Sequence, residues 1–240
     1  MGQPERSEAP VEFQDAFARI EQALDNGGTG LRELGYWRIL RQVKTNRTLS
    51  NHWAEVVGRI DQKAFEARHS LRIPVWVGNG VLLVGTAVGV GAIVVATSTD
   101  DPTVSGLALI ASGGILSVSL HDLAHWAWGR MVGMRFRCYF LDGPFRIQPG
   151  IKTDYASYLR TPPRSRAGMH AAGALASKLA PFVAAGFWWA TSAPWWALSG
   201  LLALGAVQVV TDIVWSTKKG DWKKVRREAQ LARAWAARPR

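Results

Sequence analysis

The chain has 240 residues, 48% of them apolar and 20% charged, with a formal net charge of +11. That length suits one sizeable domain or a small membrane bundle. The basic excess comes with no nucleic-acid motif and no basic stripe, so no nucleic-acid partner is expected. Cys138, the single cysteine, excludes an internal disulfide and a cysteine-built zinc site.

The charge is unevenly spread. It collects at 1–72, 130–166 and 217–240 and is nearly absent between. Residues 1–10, MGQPERSEAP, are polar and are expected to lack both regular structure and a cleavable signal. The first apolar span then serves as the targeting signal. Residues 11–25 carry apolar side chains at helical spacing, and NGGTG stops that helix. Residues 31–47 and 50–70 read as two further amphipathic helices, the second capped by Ser50 or Asn51. Residues 1–72 thus form a cytosolic helical module of near-balanced charge. Its His52 and His69 read as ordinary surface or packing histidines.

Four apolar spans follow, at about 74–97, 103–128, 167–191 and 194–216. Each is long enough to cross ~30 Å of hydrocarbon at ~1.5 Å per residue. Gly80, Gly85, Gly89 and Gly91 in the first allow close helix approach. STDDP joins the first two spans and SAP the last two. Arg130, Arg135, Arg137, Arg146, Lys152, Arg160, Arg164 and Arg166 lie between the second and third. The positive-inside rule then puts both termini and the 130–166 loop in the cytosol. Trp188, Trp189, Trp195 and Trp196 mark an outer belt, with Trp76, Trp126, Trp128, Trp215 and Trp222 near the inner one. The fold expected is an α-helical, multi-pass integral membrane protein, N-in and C-in, in the plasma membrane of a prokaryote. Its membrane domain covers 73–216. Within it, residues 131–150 alternate polar and apolar around Asp142-Gly143, a two-residue turn signal, and read as a β-hairpin against the inner face. Residues 217–240 read as a basic amphipathic helix lying on anionic headgroups.

The chemistry lies in SVSLHDLAHWAWGRMVGM, residues 117–134. His121, Asp122 and His125 sit inside an apolar run, where an ionisable group costs about 2.5–3.5 kcal/mol on insertion scales and marks a functional site. His121 and His125 are four apart, on one helix face. Two imidazoles at that spacing grip one metal ion, and the adjacent carboxylate is placed to take a proton from water. Counting ~1.5 Å per residue puts Asp212 of the fourth span at the same depth as the histidines, so it is expected as third ligand. His170, Ser177 and Lys178 in the third span reach the mouth and middle of the bundle, and Lys178 must face its interior or a carboxylate, Asp212 or Asp122.

HDLAH, followed by a small hairpin, resembles the intramembrane metalloproteases of the site-2 protease family, whose pattern is HExxH. AAGALASKLAP at 171–181 is similar to the family's Gly-rich span, and VVTDIVW at 209–215 stands where a later span supplies an Asp ligand. The resemblance covers about 70–220. It implies a zinc peptidase that hydrolyses membrane-associated protein substrates near the cytosolic face. His121, His125 and Asp212 would be its ligands, and Asp122 its base. Lys178 or His170 would stabilise the oxyanion, with Ser177 accessory. The hairpin edge would hold the substrate as an added strand. Position 122 is Asp where the family has Glu, one methylene shorter. That difference favours the alternative, a protease-like membrane protein that binds zinc or a partner helix without cutting. Five histidines are too few for a di-iron desaturase. A bis-histidine haem leaves the acids unexplained, and no paired repeat of broken helices suggests a transporter.

Overall fold

The computed structural model describes residues 11–28, 30–142, 148–216 and 220–237. Three helices open it: α1 (Val11–Asp25), α2 (Tyr36–Lys44) and α3 (Arg47–Glu66). The third begins earlier than its periodicity suggests. Asn46 caps it, its Oδ1 accepting from Thr48 N at 2.7 Å and Leu49 N at 3.4 Å, so neither Ser50 nor Asn51 is needed as a cap. Phe17, Ile20, Tyr36, Val43, Val57 and Ile60 pack the core of this bundle, which Ala156 and Leu159 join from further along the chain. His69 stacks on Phe65 and His52 meets the edge of Trp53, so both are packing residues.

Four helices are long and apolar enough to cross a membrane: Val75–Ser98, Pro102–Met131, Pro163–Ala190 and Trp195–Val214. The regular α-helical stretches are α4 (Val75–Ser98), α5 (Pro102–Met131), α7 (Pro163–Gly186) and α8 (Trp195–Thr211). The short α6 (Tyr155–Arg160) precedes α7, and a π-helical turn, Asp212–Ser216, follows α8. A sharp start fixes α5: Pro102 stands in its first turn, and Asp101 Oδ1 accepts from Thr103 N at 2.8 Å and Val104 N at 3.0 Å. Of the four glycines expected to permit close approach, two do so. A Cβ at Gly89 would stand 2.8 Å from Leu116, and one at Gly85 3.3 Å from Ser119, whereas Gly80 and Gly91 face open space. Val81, Leu83, Val84, Val88 and Val94 of α4 point outward, as apolar side chains facing lipid would.

A small antiparallel sheet lies beside the bundle, in the order β1 (Ile73–Pro74), β2 (Phe136–Asp142), β3 (Gln148–Thr153). It has three strands where a hairpin was expected. Asp142 pairs with Gln148, so Asp142 ends β2 rather than forming a turn. Gly143, the other half of the expected turn, lies outside the described residues. Tyr139 donates its hydroxyl to Asn79 Oδ1 at 2.8 Å, pinning β2 to α4. Lys152 pairs with Asp61 and so ties β3 to α3. The C-terminal helix α9 (Asp221–Ala236) packs along α7, with Glu228 fully buried, so one of its faces is committed to protein contact.

Candidate metal centre

His121, Asp122 and His125 lie on α5 and form a group able to hold a metal ion, their ligand atoms all within 4.8 Å of one another. The neighbouring helix leaves room for His125. A Cβ on Gly173 of α7 would sit 2.3 Å from His125 Nε2, so any larger residue there would displace the imidazole.

Hydrogen-bond partners assign each ring its tautomer. Nδ1 of His125 donates to the Met169 carbonyl at 2.6 Å, which leaves Nε2 with a lone pair. Ser177 Oγ donates to the carbonyls of Ala174 at 3.1 Å or Gly173 at 3.2 Å, so it accepts from His121 Nδ1 at 3.3 Å. The His121 lone pair is therefore also on Nε2. Tyr158 donates its hydroxyl to Glu228 Oε1 at 2.9 Å and accepts from His170 Nε2 at 3.2 Å, leaving the third lone pair on His170 Nδ1.

All three lone pairs face one carboxylate, that of Asp221 at the start of α9. Its Oδ2 is 3.5 Å from His121 Nε2 and 3.4 Å from His125 Nε2, and its Oδ1 is 3.8 Å from His170 Nδ1. Burial raises the carboxyl pKa of Asp221, but contact with His125 and the Lys224 ammonium outweighs burial and holds it below the usual carboxylate range. Lys224 Nζ stands 3.0 Å from Oδ1. The separations to the imidazoles are longer than the ~2.7–2.9 Å of close charge-assisted N–H···O bonds. Three imidazole nitrogens and a carboxylate that converge in this way form a donor set able to hold a cation.

The sequence-predicted residues divide into two groups. His121, Asp122, His125 and His170 line one cavity of about 390 Å³, walled on one side by Phe140 of β2 and by Gly150 and Ile151 of β3. Ser177 lies behind, holding His121. Asp212, expected among the ligands, is engaged elsewhere. Its Oδ2 is 3.2 Å from Lys178 Nζ and accepts from Trp222 Nε1 at 2.9 Å. Lys178 is thereby drawn to Asp212 and to Ser177 Oγ, and it is not among the residues lining the cavity. Matched depth does not ensure a matched face, and an ammonium is a better partner for a carboxylate than a neutral imidazole. The carboxylate beside the imidazoles is Asp221, on the helix expected to lie on headgroups.

These residues define a candidate metal centre at one end of a bundle of four apolar, membrane-length helices. No family model, curated protein or solved structure matches the chain.

Proposed function

We propose that the protein is an intramembrane zinc metallopeptidase, with His121, His125 and Asp221 as the metal ligands and Asp122 as the base. The observation that carries this reading is the spacing of the donor atoms. Two atoms bound to one tetrahedral zinc at ~2.0–2.2 Å lie ~3.3–3.5 Å apart, and Asp221 Oδ2 stands 3.4 and 3.5 Å from the two Nε2 atoms. Two imidazoles and a carboxylate, with a fourth position open, are the donor set of a catalytic rather than a structural zinc.

When bound, zinc supplies a Lewis acid for the scissile carbonyl. The remaining work falls to the chain. Asp122, buried at the cavity wall, takes a proton from the attacking water and returns it to the leaving amine. Lys224, which also lines the cavity, supplies the cation for the developing oxyanion, the role expected of Lys178. β3 is the edge strand of the sheet and borders the cavity, so an extended substrate adds beside it with its scissile bond over the histidines. The N-in, C-in orientation expected from the positive-inside rule would put this chemistry at the cytosolic face, with membrane-associated proteins as the substrates of this reading.

A second reading, zinc binding without cleavage, is favoured by one specific feature: Asp122 is a methylene shorter than Glu. Elemental analysis of the protein purified in mild detergent, with fluorescein-labelled casein as proteolysis probe, separates the two. The peptidase reading expects one zinc per chain and cleavage that 1,10-phenanthroline and His125→Ala both abolish. Zinc without cleavage, with activity appearing only in Asp122→Glu, selects the second reading. A chain that takes up no zinc rules out both.

A further inference from the structure

A second cavity lies away from the histidines. It has a volume of about 710 Å³ and lies between α2 and α9, with Tyr155 at its back. Ligand pockets are typically ~300–1,000 Å³. Arg32, Arg38, Arg41, Lys44 and Arg227 line it, and no carboxylate does among the described residues. Arg38, Arg41 and Lys44 are three apart along α2, so they project from one face, opposite the buried Ile39 and Val43. Arg227, Leu231 and Ala234 face them from α9 at the same kind of spacing.

The charges are not balanced internally. Arg32, Arg38 and Arg41 make no ion pair with any described residue. Two acids lie close behind the cavity: Asp61, which pairs with Lys152, and the fully buried Glu228, at 3.4 Å from Lys44 Nζ, 3.3 Å from Arg227 Nη2 and 2.8 Å from Arg166 Nε. Three cations already surround the Glu228 carboxylate. The rest of the wall is apolar or aromatic, with Trp37 47% exposed and Leu231 beside it. Guanidinium groups present forked donors that match phosphate and carboxylate oxygens, and they stack on flat rings.

We infer that this cavity is a binding site for a phosphate-type anion carried on an apolar body. The arginines receive the anion, and Trp37, Leu231 and Tyr155 receive the apolar part. Inorganic phosphate alone leaves the apolar wall uncovered and binds weakly. A ligand seated here bridges α2 and α9, the helix that carries Asp221 at its start. The anion comes either from a soluble aryl or alkyl phosphate or from a lipid headgroup.

The test uses the full-length chain in phosphatidylcholine nanodiscs, titrated calorimetrically with 1-naphthyl phosphate. Saturable binding at one site per chain is expected, at least tenfold weaker in the Arg38→Glu/Arg41→Glu double variant and at least tenfold weaker for inorganic phosphate. Both arginines are exposed, so the double variant is expected to melt with the wild type, which the thermal transition verifies. Nanodiscs containing phosphatidic acid decide the source: competition with the probe assigns the lipid headgroup, and its absence assigns a soluble ligand. No saturable binding, equal affinity in the double variant, or equal affinity for inorganic phosphate would each overturn the inference.

Discussion

Gly173→Ala is the most direct probe of the site, because it adds one carbon and removes no ligand. The new Cβ would lie 2.3 Å from Nε2, 2.4 Å from Cδ2 and 2.5 Å from Cε1 of His125. Ordinary carbon contacts are about 3.5–4.0 Å, so the ring must retreat by ~1 Å or more. Its Nδ1 bond to the Met169 carbonyl, 2.6 Å long, opposes that retreat. Metal sites tolerate ligand-distance errors of about ±0.2 Å, so the displaced imidazole is lost as a ligand. We expect Gly173→Ala to bind zinc at least 100-fold more weakly than wild type in competition with a chromophoric chelator. Gly91→Ala is the control: nothing lies within 4 Å of its added Cβ, and Gly to Ala inside a helix is worth up to ~1 kcal/mol in stability. It is expected to bind zinc as wild type does. Full zinc affinity in Gly173→Ala would mean that His125 does not hold the metal through Nε2, and the geometry proposed for the centre would be wrong.

Asp221→Asn keeps the shape of the side chain and removes its charge, and its zinc affinity is expected to fall by more than the ~10–100-fold typical of lost supporting contacts. Asp212→Asn, by contrast, is expected to retain zinc and to lose thermal stability, because Lys178 is left facing an amide. Arg166→Met removes the closest partner of a fully buried carboxylate, and chemical denaturation should show a loss short of the ~3–5 kcal/mol of a carboxylate left wholly unpaired, because Lys44 and Arg227 remain. Lys44 gives a pH signature. Burial draws its pKa from 10.5 down to about 7 against the pull of Glu228, so between those values the unfolded chain binds the extra proton. Stability then rises with pH, and unfolding midpoints should climb from about pH 7.5 to 9.5 in wild type and flatten in Lys44→Met. Tyr36, Tyr155 and Tyr158, all raised by burial, titrate above that window.

What the sequence made legible follows its physics. The long helices were readable because their apolar runs are uninterrupted and their ends are marked, as by Asp101-Pro102 before α5. His121 and His125 were readable because a four-residue spacing fixes their relative direction without any knowledge of the fold. That Asp221 rather than Asp212 lies beside the imidazoles was not readable, because depth along a helix axis says nothing about which way a side chain points around it. The available signal for Asp221 was an acid among lysines in KKGDWKK, just where a new helix begins. Glu228 follows at a seven-residue interval, two turns on and on the same face. Two acids on one face of an otherwise basic helix argue for a protein-facing side, which the headgroup reading passed over. β1 was missed because two residues carry no periodicity, and Asn46 because the first turn of α3, Arg47 to Ser50, contains few apolar residues to reveal the helix start.

The position of Asp221 depends on how α9 is held. Asp221 and Glu228 are seven residues apart, or ~10.5 Å along the helix. One meets the histidines, and the other is enclosed by Arg166, Lys44 and Arg227. Trp235 adds a third tie, donating to the Lys44 carbonyl at 2.9 Å. A slip of α9 by one residue would rotate these side chains by ~100° and break all three contacts together. A buried ion pair contributes little net stability against the cost of its desolvation, but it discriminates strongly among registers. Tyr158 joins the two ends, accepting from His170 and donating to Glu228. The helix bearing Asp221 is therefore held in register by charges from α2 and α7, so the N-terminal helices help to set where Asp221 meets the histidines.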